Sequence, residues 1–178
     1  LAAGFQVIVQ THIRPSNRVI ILGDGKLGLL VAQVLVLTGC DLFVGGKHTS
    51  KLSLLKGKGI GTGLIDNLGD SKADVVIDCT GASDGLERAL RLTRPRGAIV
   101  LKSTVAEKRG VDLSGLVIDE ITLIGSRCGP FHPAIRALEK ESIDVKLLIS
   151  GIYSLMEGTK AFREASKKGA LKILIRMD

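Results

Sequence analysis

Arg18-Val19-Ile20-Ile21-Leu22-Gly23-Asp24-Gly25-Lys26-Leu27-Gly28 is a short apolar run that breaks into glycines spaced G-x-G-x-x-G, at positions 23, 25 and 28. The architecture follows from it, because a strand turns into a helix in this way in a dinucleotide-binding βαβ unit. Gly23 lets the chain turn tightly off the strand, Gly25 removes the Cβ that would bar a diphosphate, and Gly28 lets the helix pack against the strand. The anion then rests on the unsatisfied N–H groups of the helix start. A glycine-rich turn without a ligand competes with this reading, and the flanks weigh against it. Residues 19–22 form a buried-strand run, and residues 29–37 continue as an apolar stretch long enough for a buried helix.

Composition bounds the rest. The chain has 178 residues, 45% of them hydrophobic and none tryptophan, which suffices for one sizeable core. The longest apolar stretch, around residues 27–37, is too short to span a bilayer and contains Gln33, so no membrane span is expected. Cys40, Cys79 and Cys128 are far apart and odd in number, which suggests neither a disulfide framework nor a zinc cluster. Free thiols fit a reducing compartment, and a cytoplasmic location is expected. The chain opens on Leu1 rather than Met, without a basic leader, and reads as a fragment. A formal net charge of +7 invites a nucleic-acid reading, but the basic residues are dispersed and Tyr153 is the only tyrosine. No nucleic-acid partner is expected.

Taken in order, residues 1–10 are expected to be helical, and Arg14-Pro15-Ser16-Asn17 turns the chain into the first strand. Thr38-Gly39 ends the helix after the glycines, and residues 41–44 are the second strand. The residues just after that strand bear on the cofactor. In the usual NAD arrangement an Asp or Glu at its C-terminal end accepts hydrogen bonds from the adenosine ribose. Here Gly45-Gly46-Lys47-His48 stands in that place. Asp41 opens the strand instead, and five residues at about 3.3 Å put it roughly 16 Å from Gly46, at the wrong end of a parallel strand. With the carboxylate missing and Lys47, His48 and Lys51 nearby, a 2′-phosphate would be attracted, which predicts NADP, with NAD as the alternative. Lysines exposed at a helix start are the bland account of the same residues.

Thr49 or Ser50 is expected to cap a helix through Leu55, ended by Lys56-Gly57-Lys58-Gly59. Residues 60–65 make a third strand, 66–70 a polar loop and 73–78 a fourth strand ending in Cys79-Thr80-Gly81. Asp84 and Glu87 form a capping box for a helix to Leu92, and Arg94-Pro95-Arg96-Gly97 turns into a fifth strand at 98–101. Residues 121–124 give the sixth strand, and 133–140 a helix. This alternation predicts a doubly wound parallel sheet, a Rossmann fold of order 3-2-1-4-5-6. Beyond it lie a strand at 147–153, a capping box of Ser154 and Glu157, a helix to Lys168 ended by Gly169, and a strand at 172–176. Those elements exceed what a six-stranded nucleotide fold needs.

The glycine run Gly23-Asp24-Gly25-Lys26-Leu27-Gly28-Leu29-Leu30, the strand end Asp78-Cys79-Thr80-Gly81, the turn Leu92-Thr93-Arg94-Pro95-Arg96-Gly97 and Glu120-Ile121-Thr122-Leu123-Ile124-Gly125-Ser126-Arg127-Cys128-Gly129 together resemble the cofactor domain of medium-chain dehydrogenases, of the zinc alcohol dehydrogenase and threonine dehydrogenase type. The resemblance covers nearly the whole chain. It implies a nicotinamide-binding domain over residues 1–148 and, over 149–178, the return to a catalytic domain. That missing N-terminal domain, GroES-like, would hold zinc and most of the pocket for an alcohol or carbonyl substrate. The resemblance also implies that Gly23, Gly25, Lys26, Leu27 and Gly28 surround the pyrophosphate, while Gly46, Lys47, His48 and Lys51 face the adenosine ribose. Thr80 and Gly81 would line the cofactor's centre, Lys102, Ser103, Gly125 and Ser126 its nicotinamide end, and Lys172 a phosphate contact. Dimer pairing through strand six is implied as well.

No catalytic group is legible in the chain itself. Histidines 12, 48 and 132 pair with neither cysteine nor acid at metal-ligand spacing, so no metal site is expected. Cys79 and Cys128 read as buried small residues, and Thr80, Ser103 and Ser126 also suit ordinary turns. Two other readings use the same glycine turn: a non-catalytic NAD(P)-sensing module, and methyl transfer from S-adenosylmethionine, which normally keeps an acid at the end of strand two.

Overall fold

A computed structural model describes residues 1–69, 71–105 and 110–177. The helix Ala2–Gln10 (α1) leads into the strand Arg18–Leu22 (β1), followed by the helix Lys26–Val36 (α2) and the strand Asp41–Gly46 (β2). Next come the helix Thr49–Leu52 (α3), strands Gly61–Leu64 (β3) and Ala73–Asp78 (β4), the helix Gly85–Leu92 (α4) and the strand Thr93–Leu101 (β5). The helix Ser114–Ile118 (α5), the strand Thr122–Gly125 (β6) and the helix Phe131–Glu139 (α6) complete the main layer, and the strand Ile149–Ser154 (β7), the helix Gly158–Ala165 (α7) and the strand Lys172–Arg176 (β8) follow. The main sheet is six-stranded and parallel in the order β3-β2-β1-β4-β5-β6, as the alternation of elements predicts, and β7 pairs with β8 in a second, two-stranded parallel sheet.

Every β1 residue after Arg18 is buried, which a parallel strand achieves only with helices on both faces. Successive side chains point to opposite faces of a strand, and the two cores divide accordingly. Val19 and Ile21 join Leu29, Ala32 and Leu35 of α2, with Val7 of α1, in one cluster. Ile20 and Leu22 join Ala89 and Leu92 of α4 in the other. Removing each such side chain from water contributes about 1.5–3 kcal/mol, so the centre of the sheet is the best-stabilised part of the molecule. Gln33, buried on the apolar helix α2, is satisfied by a reciprocal pair: its Nε2 donates to the Asp144 carbonyl at 3.1 Å and its Oε1 accepts from the Asp144 N–H at 2.8 Å. Leu148 and Leu171, beside β7 and β8, reach into the first cluster.

Several local expectations need correction. His48, not Thr49 or Ser50, is the residue before α3, and its side chain caps nothing; the helix gives way to a 3-10 turn at Ser53–Leu55. Asp84 precedes α4 without capping it, because its carboxylate is held by Arg88 Nε at 2.7 Å. Arg94-Pro95-Arg96-Gly97 lies inside β5 as an irregularity between the pairs Ala73–Thr93 and Val75–Ala98. Arg96 there takes a φ of +60°, and its N–H donates to the Asp119 carbonyl at 2.7 Å. The 3-10 turn Ile65–Asn67 occupies the start of the expected polar loop, and Asp70 lies outside the described residues. The last helix stops at Ala165 rather than Lys168, although Gly169 does take the left-handed conformation, with a φ of +99°. The capping box of Ser154 and Glu157 is formed.

Candidate dinucleotide site

The C-terminal ends of β1, β2 and β4 converge on the glycine turn. Gly23, with a φ of +113°, donates its N–H to the Gly45 carbonyl at 2.7 Å, and a Cβ on it would lie 2.7 Å from the Cys79 carbonyl oxygen. A Cβ on Gly28 would strike the Gly23 carbonyl oxygen. The fold itself therefore demands both glycines. Gly25 differs, since a Cβ there would meet nothing within 4 Å. It precedes α2 with no side chain capping the helix, and the N–H groups of Lys26, Leu27 and Gly28 have no intrahelical acceptor. The site thus presents an open, uncapped helix start, polarised to receive an anion.

A cleft of about 250 Å³ extends from this turn to the end of β2. It brings together Gly23, Gly25, Gly46, Lys47, His48 and Lys51, with Thr80 on the β4 side. Lys26 is exposed beside the cleft, and the Leu27 side chain packs on the core, leaving its backbone to the site. Thr80 is largely committed to its own turn: its N–H and hydroxyl both donate to Asp78 Oδ1, at 2.9 and 2.7 Å. Gly81 donates its N–H to Ser103 Oγ at 2.9 Å, tying the ends of β4 and β5 together. Lys102 and Ser126 lie outside the cleft as a buried pair, Lys102 Nζ donating to Ser126 Oγ at 2.8 Å, and burial draws the Lys102 ammonium below its ordinary pKa. Gly125 closes β6, its carbonyl accepting from Gln10 Nε2 at 3.1 Å. Lys172 is exposed at the start of β8, in the other sheet.

Two features escaped the sequence reading. Asp78 is buried beneath the turn after β4, and its carboxylate lies so close to the start of α4 that a Cβ on Gly85 would come within 2.6 Å of Oδ2. Asp24, inside the glycine motif, turns its carboxylate back over the end of β2. There Oδ2 accepts from the backbone N–H groups of Lys47 at 2.9 Å and His48 at 2.6 Å, and lies 3.0 Å from His48 Nδ1. The strand itself lacks an acid at that end, as its sequence says, but the space does not. Asp41, by contrast, sits at the far end of β2, paired in register with Arg18.

Nucleophilic chemistry finds no support at Cys79, whose thiol is pushed up to about 12 by burial and then by the charge of Asp78. Cys128 is exposed, not buried as its sequence context suggested, because the chain leaves the sheet after β6. His12 and His132 are exposed.

The sequence profile of the zinc-binding dehydrogenases matches residues 27–142, nearly two thirds of the chain, from the first turn of α2 to just past the end of α6. The chain belongs to that family. Among zinc-binding dehydrogenases and their relatives it is 27% identical to a sorbitol dehydrogenase of Halalkalibacterium halodurans, over 98% of this chain and 56% of that protein. It therefore spans little more than half the length of the curated relatives it matches. Its fold superposes with a TM-score of 0.87 on a protein of Sinorhizobium meliloti 1021 assigned as a zinc-binding dehydrogenase and solved with NADP, at 23% identity, covering 98% of this chain and 56% of that one. A TM-score of 0.88 relates it to an Escherichia coli CFT073 alcohol dehydrogenase complexed with NADH, also at 23% identity, covering 99% and 57%. The zinc in the family's name finds no donor set here: among the described residues no three His, Cys, Asp or Glu side chains gather as a metal site requires. Among them, too, no helix is long and apolar enough to cross a membrane.

Proposed function

We propose that this chain is the nicotinamide-binding part of a dehydrogenase acting on an alcohol or carbonyl substrate. Gly25 carries the reading. The fold requires glycine at 23 and 28 but tolerates a Cβ at 25, so the third small residue serves something that approaches the turn from outside. A diphosphate suits that place: the backbone is bare, the start of α2 is uncapped, and Lys26 stands beside it. Lys47, His48 and Lys51 would then hold the adenosine ribose, and the charge of the two lysines supports NADP over NAD. Thr80 and Gly81 would bound the middle of the cofactor, and Lys102, Ser103, Gly125 and Ser126 its other end.

When bound, the nicotinamide ring supplies a hydride donor or acceptor. The chain's own part is to hold that ring at the carboxyl edge of the sheet, on backbone fixed by the Gly81–Ser103 and Lys102–Ser126 hydrogen bonds. No proton-transfer group is assigned to it, and the substrate and any zinc belong to a further domain of the whole protein, docked on the segment from Ile149 onward. A homodimer through the free edge of β6 extends the proposal.

Gly25→Ala tests the reading. The variant keeps its melting temperature, and its affinity for NADP and for NAD, measured by calorimetry, falls at least tenfold. Unchanged affinity for both nucleotides in the folded variant refutes it, as does the absence of binding by the parent chain.

A further inference from the structure

Among the described residues the Asp24 carboxylate makes its hydrogen bonds outside the glycine turn, to Lys47 and His48, and the surrounding backbone is shaped to hold it. Its side chain is only 9% exposed. Gly46 makes the space: a Cβ at that position would lie 2.6 Å from Asp24 Cβ and 2.8 Å from Oδ2. Into that space the end of β2 directs two successive N–H groups, those of Lys47 and His48, and the His48 ring, with Lys51 nearby in the cleft wall. Consecutive N–H groups converging beside cationic side chains form an anion seat. The chain fills this seat with its own carboxylate.

We infer that Asp24 is a specificity-determining residue, one that competes with the 2′-phosphate of the dinucleotide for the Lys47 and His48 N–H pair and so holds down the preference for NADP. The inference rests on the cleft being the dinucleotide site. A 2′-phosphate entering there meets a carboxylate already bonded to the donors it needs. If the carboxylate stays, two anions share one cleft; if it leaves, a buried acid gives up its hydrogen bonds. An unphosphorylated ribose faces neither penalty, and its hydroxyl is free to donate to Oδ1, whose contact among the described residues is the one at 3.3 Å with His48 Nδ1. Lys47 and Lys51 act in the opposite direction. The discrimination is the balance of the two, with Asp24 as its negative arm.

The test is calorimetric titration of the 178-residue chain with NADP and with NAD, in the parent and in Asp24→Asn, at one ionic strength. Asn keeps the shape and one acceptor while removing the charge. The ratio of NADP to NAD affinity is expected to rise at least tenfold, chiefly through tighter NADP binding. Asp24→Ser, which vacates the seat, shifts the ratio the same way and serves if Asn packs badly; thermal melts establish that each variant is folded. A ratio within threefold of the parent's in a folded variant overturns the role of Asp24 while leaving the cleft as a dinucleotide site. A parent chain that binds neither nucleotide overturns both.

Discussion

β1 and β8 are written in nearly the same chemistry, Arg-Val-Ile-Ile-Leu against Lys-Ile-Leu-Ile-Arg, and both pair in parallel, yet they end in different surroundings. The four apolar residues of β1 are wholly buried, whereas Ile173, Leu174 and Ile175 of β8 are only partly so. The cause is the layers, not the strands. β1 has neighbours on both sides and helices on both faces; β8 has one neighbour, β7, and α7 as its crossover. A parallel pair covered on one face leaves apolar surface, and here Ile152, Leu155, Met156 and Phe162 are all more than half exposed. An apolar patch of this kind marks an interaction surface, which supports the proposed docking of a further domain.

Truncation of one isoleucine in each sheet sharpens the contrast most. Ile21→Ala, in the covered sheet, is expected to lower unfolding free energy by about 2–5 kcal/mol, the usual toll of a cavity in a packed core. Ile152→Ala, on β7, should change it by no more than about 0.5 kcal/mol, as surface substitutions do. Urea denaturation of the two variants measures both. Equal losses would break the comparison, since they would mean that something in solution, such as a second copy of the chain, covers the second sheet.

The same contrast separates what the sequence discloses from what it does not. Strand period and apolar runs disclosed the order of the main sheet, because β1, β2 and β4 are long, buried and bounded by glycine or acid. The helix starts at Thr49 and Asp84 misled because a cap needs a side chain free to turn inward. Arg88 removes that freedom from Asp84, and the chain before α3 enters with His48 turned toward Asp24. The glycines of the turn were legible from spacing alone. Asp24 was not: its importance depends on Gly46 lying across from it, 22 positions away, and nothing local in Gly-Asp-Gly points there. Asp78 was hidden likewise, its partner Gly85 being known only once β4 and α4 are placed.

A second prediction concerns the carboxyl edge of the covered sheet, where packing yields to buried charge. Lys102 sits there with a hydroxyl as its hydrogen-bond partner, and burial lowers its pKa from 10.5. Lys102→Met is expected to raise stability by about 1 kcal/mol, because an apolar side chain of similar length escapes the desolvation penalty. The pH dependence has a definite sign. The folded chain surrenders this proton before the unfolded chain does, so stability climbs as pH rises from the lowered value toward 10.5, and that slope vanishes in the variant. Thermal melts at pH values rising toward 10.5 check it. A variant less stable than the parent would mean that Lys102 is held by more than its hydroxyl partner, and would end the claim that its burial costs stability.

The smallest effect compares ion pairs. Arg88 of α4 binds Asp84 Oδ2 at 2.7 Å and Asp66 Oδ1 at 2.8 Å, and the guanidinium holds the Asp84 carboxyl below its ordinary range. A carboxylate so depressed contributes stability that is present above its unfolded pKa and lost as pH falls through the folded one. Both acids are more than one third exposed, so screening limits the gain, and Arg88→Met should cost about 0.5 kcal/mol at about pH 7. The difference between parent and variant should fade on acidification below the usual carboxylate range. Lys160 and Glu157 offer the counterpart beside α7, an exposed pair at 3.2 Å three residues apart. Lys160→Ala is expected to leave the urea midpoint unchanged. A larger loss there than at Arg88 would place the tighter electrostatic clasp on the sheet with the open face, the reverse of what its exposure implies.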